Sequence, residues 1–175
     1  MDIEIRRVEP VEWAAVRRLR LTALTDAPSA FGSTLDRELS LDERTWRERI
    51  AASTWFLAWQ DGEPVGMVAA AAQQNGSVPG WHLVSMWVSL QLRGSGVADR
   101  LVSAVAADAR KAGGSAVTLW VATGNARARG FYERMGFRPT GNRSSYRRAD
   151  ATELDEEELA LDLAGPAESR LQDRP

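Results

Sequence analysis

The sequence predicts a mixed α/β fold, and three observations carry this prediction. Segments with the period of strands and segments with the period of helices follow one another in the order β-α-α-β-β-β-α-β-α-β-β. In the first half, Asp61-Gly62 separates two strand-like runs, which favours a hairpin and therefore antiparallel pairing. In the second half strands alternate with helices, which is typical of parallel strands joined by a right-handed crossover.

A strand and a helix are predicted at the start of the chain. Ile3, Ile5 and Val8 stand among charged residues in near alternation, as in a half-buried strand. Pro10 then opens a helix, because proline suits a first helical turn and apolar residues follow at spacings of three and four. Asp26-Ala-Pro28 ends that helix.

A loop, a second helix and a hairpin are predicted next. Residues 29–39 are predicted to form a loop. Ser40-Leu-Asp-Glu43 has the pattern of a capping box, so a helix is expected to begin near Leu41. The two hairpin strands that follow are Thr54–Trp59 and Pro64–Gln73.

The second half is predicted to supply the centre of the sheet. The strand His82–Ser89 is apolar on both faces, which is typical of a central strand. A helix from Ser95 to Ala112 ends at Gly113-Gly114. The remaining elements are a strand at Val117–Val121, a helix from Asn125 to Gly136, and extended segments at Phe137–Gly141 and Glu158–Leu163. Residues 1–164 are predicted to form one domain and residues 165–175 a flexible tail.

Composition and charge argue against several classes of protein. The net charge of -2 gives no global basicity that would point to nucleic acid, and the absence of cysteine removes thiol nucleophiles and disulfides. A single histidine, His82, does not suffice for a multi-histidine metal site. The charged N-terminus is unlike a signal peptide, and the weakly polar run Pro64–Ala72 is too short to span a bilayer. We therefore expect a soluble cytoplasmic protein without metal, nucleic-acid or membrane partners.

The loop Gln91-Leu-Arg-Gly94-Ser-Gly96 is the most informative stretch of the chain. It joins the predicted central strand to a helix N-terminus, where free backbone N–H groups and the helix dipole favour a phosphate. Gly94 and Gly96 allow close approach because they carry no Cβ atom, and Arg93 would add positive charge. The structural alternative is that the glycines only form a tight turn between strand and helix.

Two motifs resemble the signatures of the GNAT superfamily of N-acetyltransferases. The loop Gln91–Gly96 resembles the family's Gln/Arg-x-x-Gly-x-Gly/Ala motif. The segment Leu119–Phe137 resembles its second signature, in which Asn125 opens a helix that ends in Tyr-x-x-x-Gly-Phe. The two motifs occur in the family's order, and the resemblance extends to about Leu163. It implies a mixed, mostly antiparallel sheet with a central splayed parallel pair and about four flanking helices.

The resemblance also implies an activity, which is transfer of an acetyl group from acetyl-CoA to a primary amine by direct attack in a ternary complex. The Val88 backbone N–H would hold the oxyanion, and Tyr132 matches the family's general acid. The structural alternatives are a core aromatic at Tyr132 and a purely capping role for Asn125. Arg127 and Arg129 are more typical of solvated helix charges than of phosphate ligands. The implied cofactor-binding residues are Met86, Trp87, Val88, Arg93, Gly94, Ser95, Gly96, Val97, Ala98, Asn125 and Tyr132.

The sequence gives little information about which residues would bind and deprotonate the acceptor amine. Many relatives carry a carboxylate on the central strand as general base, and this chain has none there, so a water chain, Ser85, His82 or Glu38 stays open for that role. Phe31, Glu38 and Ser85 are candidate residues of an acceptor groove. The alternatives are a core position for Phe31, a solvated charge for Glu38 and a hydrogen-bonded structural role for His82. A small amine, an amino-acid derivative, an aminoglycoside and a protein N-terminus all stay open as acceptors.

Two other functions fit part of the pattern. A Rossmann-type dinucleotide enzyme shares the first two glycines, but Asp99 stands where its third glycine would be. A non-catalytic acyl-CoA-binding or sensing module is compatible with the same fold. The missing strand carboxylate favours such a module, whereas Tyr132 favours an enzyme. Homodimerisation is common in the family, and nothing in the sequence determines it.

Overall fold

Seven strands and five α-helices are present in the residues that the computed structural model describes, which are 2–73, 80–147 and 152–164. The strands are β1 (Ile3–Arg7), β2 (Thr54–Gln60), β3 (Glu63–Gln73), β4 (Gly80–Val88), β5 (Ala116–Ala122), β6 (Arg138–Arg147) and β7 (Glu153–Asp162). The helices are α1 (Trp13–Asp26), α2 (Leu35–Leu39), α3 (Glu43–Ala51), α4 (Val97–Lys111) and α5 (Ala126–Arg134). The predicted tail at 165–175 lies outside the described residues.

All seven strands belong to one sheet with the order β1-β2-β3-β4-β5-β7-β6. Every neighbouring pair is antiparallel except β4 and β5, which are parallel. The predicted fold class, a mostly antiparallel sheet with a central parallel pair, is confirmed. The helix between the two parallel strands is α4, so the predicted crossover unit is also present.

The parallel pair separates along its length. β4 and β5 pair only through Gly80, Trp81 and His82 against residues 116–118. β4 nevertheless continues to Val88 and β5 to Ala122, so beyond His82 the two strands diverge and leave a V between them. This confirms the predicted splay, and it leaves one edge of β4 without a strand partner.

A β-bulge lies within β4 at the point where the V opens. The pairing with β3 shifts so that Ser85 and Met86 together oppose the single residue Val68. Ser85 has φ +57°, which is rare for a residue other than glycine. Because a bulge increases the local twist and redirects the strand, it turns the end of β4 away from β5.

Two helices cover one face of the sheet and three cover the other. α4 and α5 pack on one face over a cluster that includes Val105, Leu119 and Phe137. Helices α1 to α3 pack on the other face over a cluster that includes Trp46 and Met67. Among the described helices, none is long and apolar enough to cross a membrane.

The structure corrects three local predictions. The segment predicted as a loop at 29–39 contains α2, whose N-cap Thr34 accepts a hydrogen bond from the Arg37 N–H. The next helix begins at Glu43, not near Leu41, because the cap is the Asp42 carboxylate and not Ser40. The last two strands extend beyond their predicted bounds, because both are rich in polar residues that give little apolar period.

Candidate active site

A cleft lies at the mouth of the V, between the end of β4, the start of α4 and one side of α5. Its volume is about 700 Å³. Polar and apolar surfaces meet in it, as is typical of a ligand site. The residues predicted to bind cofactor that line this cleft are Met86, Trp87, Val88, Arg93, Gly94, Gly96, Ala98, Asn125 and Tyr132.

The glycine loop faces the cleft with its backbone. Gly94 and Gly96 both have φ +86°, a conformation that other residues adopt only with strain. A Cβ atom on Gly94 would meet nothing within 4 Å, and one on Gly96 would meet only the Asp99 carboxylate, at 3.9 Å. Packing within the protein therefore does not require these glycines, and the space in front of the loop stays open.

Free N–H groups follow the loop at the start of α4. The first helical hydrogen bond runs from the Arg100 N–H to the Gly96 carbonyl, at 3.2 Å. The N–H groups of Val97, Ala98 and Asp99 therefore have no acceptor within the helix. Together with the positive end of the helix dipole, they form a place for an anion such as a phosphate.

The structure limits which groups of Ser95 and Val97 could meet a ligand. The Ser95 N–H and hydroxyl both donate to the Leu92 carbonyl, at 3.2 and 2.6 Å. Contrary to the expectation from the sequence, that N–H is committed to the loop and is not free for a ligand. The Val97 side chain is buried in the core below α4, so only its N–H faces outward.

The Val88 N–H points into the V. The Ser89 N–H donates to the Val65 carbonyl on β3, at 2.9 Å. Successive N–H groups of a strand point to opposite edges, so the Val88 N–H points away from β3 and toward the side on which β5 has diverged. The Val88 carbonyl points to the same side, where it accepts a hydrogen bond from Arg93 Nε at 3.1 Å.

The second motif builds both ends of α5. The Asn125 carboxamide oxygen accepts from the Ala128 N–H at 3.1 Å, so Asn125 is the N-cap, as its structural alternative stated. At the other end the Phe137 N–H donates to the Tyr132 carbonyl and the Gly136 N–H to the Glu133 carbonyl. These two bonds define a Schellman motif, which explains the spacing of the tyrosine, glycine and phenylalanine.

Tyr132 is both packed in the core and part of the cleft wall. Its ring makes edge-on contacts with Phe131 and Phe137, with centroid separations of 5.0 and 5.5 Å. Burial raises the pKa of the Tyr132 hydroxyl, so the group keeps its proton at neutral pH. Among the described residues it has no hydrogen-bond partner, so it is available as a proton donor to a group in the cleft.

The guanidinium of Arg93 is bound by other groups of the protein. Besides the Val88 carbonyl, its guanidinium contacts the carboxylate of Asp26, the last residue of α1. The same carboxylate oxygen accepts from the Trp87 indole N–H at 2.9 Å. From the sequence, the charge of Arg93 was expected to face a phosphate, whereas in the structure that charge is paired with Asp26.

Other arginines contribute positive charge to the cleft. Arg127 and Arg134 line it on the side of α5. Arg129 points elsewhere and pairs with Glu133 at 3.0 Å and with Glu157 at 2.5 Å. Both Arg127 and Arg129 were expected to be solvated helix charges. Arg129 is partly exposed and forms ion pairs, whereas Arg127 lines the cleft.

Glu38 and Phe31 lie outside this cleft, in a buried cluster beneath α1, α2 and α3. The Glu38 side chain is 2% exposed and forms ion pairs with Arg49 at 2.6 Å and with Arg20 at 3.6 Å. Arg20 in turn stacks on the Phe31 ring at 4.6 Å. Phe31 therefore takes its core alternative, and Glu38 is neither a solvated charge nor a residue that lines the cleft.

The ionisation of Glu38 is set by opposing effects. Burial opposes its charge most strongly, but the adjacent Ser33 hydroxyl, which lies outside strict hydrogen-bond geometry, and the cations Arg49 and Arg20 outweigh it. The pKa of Glu38 is therefore held below its ordinary value. A carboxylate committed in this way to two cations is a poor general base.

His82 lies far from the end of β4, whereas Ser85 lies at the bulge where the V opens and is not among the residues that line the cleft. His82 Nδ1 is 3.0 Å from the Thr118 hydroxyl, in the part of the sheet where β4 and β5 still pair. Burial lowers its pKa. Val88 lies six positions after His82 along β4, which corresponds to about 20 Å in an extended strand. His82 therefore takes its structural alternative, and Ser85 serves the bulge.

Sequence reasoning missed Asp26 and Asp99. Asp99 lines the cleft from the first turn of α4, where acidic residues are favoured, and this local signal was available. Asp26 is separated from its partners Trp87 and Arg93 by more than sixty residues, so no local pattern indicated their contact. Among the described residues, no group of three or more histidines and carboxylates is arranged to hold a metal ion.

Solved structures with the same fold include several acetyltransferases. The acetyltransferase of the GNAT family from Streptococcus pneumoniae is 18% identical, covers 92% of this chain and 99% of its own, and superposes with a TM-score of 0.77. The structure of yncA from Salmonella typhimurium, solved with its cofactor acetyl-CoA, is 17% identical, covers 95% of this chain and 97% of its own, and has a TM-score of 0.74. The ribosomal-protein-alanine N-acetyltransferase from Brucella melitensis is 17% identical, covers 91% of this chain and 99% of its own, and has a TM-score of 0.73. Comparison with curated proteins gave no significant match.

The mostly antiparallel sheet of this chain, with its one splayed parallel pair, matches the fold of these GNAT acetyltransferases. The model of the acetyltransferase (GNAT) family matches residues 13–137, a span that contains the loop, the V and α5. This chain belongs to the GNAT acetyltransferase family.

Proposed function

We propose that the protein transfers an acetyl group from acetyl-CoA to a primary amine by direct attack in a ternary complex. The observation that carries the proposal is the cleft itself, in which an anion-binding loop, an unpaired strand edge and the Tyr132 hydroxyl converge. The pyrophosphate of the donor lies on the N–H groups of Gly94, Gly96 and the first turn of α4. Arg127 and Arg134 supply positive charge on the opposite wall.

The chemistry follows from what each group offers. The amine nitrogen attacks the thioester carbon, and the negative charge that develops on the carbonyl oxygen is stabilised by the Val88 N–H. Collapse of the tetrahedral intermediate breaks the carbon–sulfur bond, and Tyr132 donates its proton to the departing sulfur. The acetylated nitrogen releases one proton. Since His82 and Glu38 are not placed to accept it, we assign that proton to water in the V.

The general acid is testable with Tyr132→Phe. We expect kcat to fall by about 10- to 100-fold, a modest loss because a thiolate with a pKa of about 8.5 leaves readily at neutral pH. The dissociation constant of CoA should change little, since the ring contacts are kept. Unchanged kcat under conditions in which chemistry limits the rate would remove Tyr132 from the mechanism.

The activity is tested by release of CoA thiol from acetyl-CoA across a panel of amines. The panel should contain small amines, amino-acid derivatives, aminoglycosides and peptides with free N-termini. We expect at least one amine to accelerate thiol release with formation of the N-acetyl product. Binding of CoA without turnover of any amine would favour a non-catalytic acyl-CoA-binding module.

A further inference from the structure

Asp26 occupies a position that the local rules of helix formation disfavour. It is the last residue of α1, where the carbonyl groups of the final turn give the helix its negative end. A carboxylate there is unfavourable unless tertiary contacts compensate. Such local inconsistencies in natural sequences occur preferentially at functional sites.

Two hydrogen-bond donors, one on β4 and one in the glycine loop, provide that compensation. One carboxylate oxygen of Asp26 accepts from the Trp87 indole at 2.9 Å and from the guanidinium of Arg93. Hydrogen bonds from Trp87 and then Arg93 lower the pKa of Asp26, so it is ionised at neutral pH. The carboxylate thus connects α1 to the end of β4 and to the glycine loop.

Arg93 carries this connection to the backbone of the site. While one end of its guanidinium contacts Asp26, its Nε donates to the Val88 carbonyl at 3.1 Å. The carbonyl and N–H of Val88 point to the same edge of β4, so fixing the carbonyl also fixes the direction of the N–H. Beyond His82, no strand among the described residues pairs with this edge of β4, and at Val88 the Arg93 side chain supplies a hydrogen bond in its place.

We propose that Asp26 is a positioning residue, which acts through Arg93 and Trp87 to orient the Val88 N–H toward the thioester carbonyl of the donor. This inference rests on the proposed function, because the Val88 N–H is the oxyanion contact of that mechanism. It assigns Arg93 to the orientation of the strand and leaves phosphate binding to the backbone N–H groups and the other arginines. Asp26 itself does not touch the reacting atoms.

The test compares Asp26→Asn and Arg93→Gln with wild type and with Glu63→Gln. Glu63, on β3, is a matched control. Its carboxylate forms an exposed ion pair at 2.9 Å with Arg18, which lies on α1 as Asp26 does, and this pair is away from the cleft. For both site variants we expect kcat to fall by about 10- to 100-fold, as for a displacement of about 1 Å at a reacting centre. The dissociation constant of CoA should change less than kcat. The kcat of the double variant should be no lower than that of the less active single variant. Glu63→Gln should match wild type.

A spectroscopic measurement separates this inference from the proposed function. The infrared stretch of acetyl-CoA labelled at its thioester carbonyl should move to lower frequency on binding to wild type, because the Val88 N–H polarises that bond. In Asp26→Asn and Arg93→Gln, shown by circular dichroism to be folded, most of this shift should be lost. If wild type shows the shift and the variants lose it while no amine is turned over, the inference stands and the proposed activity fails. A shift and a kcat that both variants retain would overturn the inference, as would the absence of the shift in wild type.

Discussion

Replacing Gly96 with alanine should weaken the binding of acetyl-CoA by about 100-fold, which corresponds to about 3 kcal/mol. The added methyl group would occupy the open space in front of the loop, where a Cβ atom meets only the Asp99 carboxylate. It would therefore displace a phosphate from the N–H groups at the start of α4. Alanine would also resist φ +86°, at a cost of about 1–2 kcal/mol to the folded state.

Gly113→Ala separates these two effects. Gly113 follows the other end of α4 and has φ +78°, and a methyl group added there would meet nothing within 4 Å. The two variants should lose similar stability by thermal denaturation, while only Gly96→Ala should lose affinity for CoA in calorimetry. Equal CoA affinity in both variants and wild type would show that the loop does not bind the donor's phosphates.

Replacing Glu38 with glutamine should lower the free energy of unfolding by about 3–5 kcal/mol, the range for removing one member of a buried ion pair. The substitution keeps the shape of the side chain but leaves Arg20, with a side chain only 8% exposed, without its counter-charge. Arg20 Nε and Nη1 already lack a partner among the described residues, so the cluster has no spare acceptor. In a domain of this size the midpoint of thermal unfolding should fall by about 10 °C.

The pH dependence of this difference has a definite sign. Since the pKa of Glu38 is lowered in the folded protein, its charge stabilises the fold fully above about pH 4.5 and progressively less as pH falls through the folded-state pKa. Wild type and Glu38→Gln should therefore converge in acid and differ most at neutral pH. The control is Glu48→Gln, in the exposed pair with Arg44, which should cost less than about 1 kcal/mol. A Glu38 variant as stable as this control would contradict the buried cluster.

The sequence predicted those features that depend on local pattern. The glycine loop, the cap at Asn125 and the end of the helix at Gly136 each depend on a few neighbouring residues, so they are visible in the printed chain. The central strand was found from its apolar faces. The family resemblance then supplied the splay, which the sheet confirms through pairing that stops at His82.

The features that sequence reasoning missed depend on contacts between distant segments. From the sequence alone, Glu38 is predicted to be an acceptor-groove residue or a solvated loop charge, because the two cations that it meets lie on separate helices. From the sequence alone, Arg93 is expected to add charge beside a phosphate, because its partner Asp26 is far away in the chain. In both cases the type of residue was informative, but only the fold determines which opposite charge it meets.

A crystal structure of the protein with acetyl-CoA tests the account of the site most directly. We predict the pyrophosphate on the N–H groups of Gly94, Gly96 and Ala98, the thioester oxygen within hydrogen-bond distance of the Val88 N–H, and the Tyr132 hydroxyl beside the sulfur. A donor bound outside the V, or a thioester directed away from both Val88 and Tyr132, would contradict the proposed transfer.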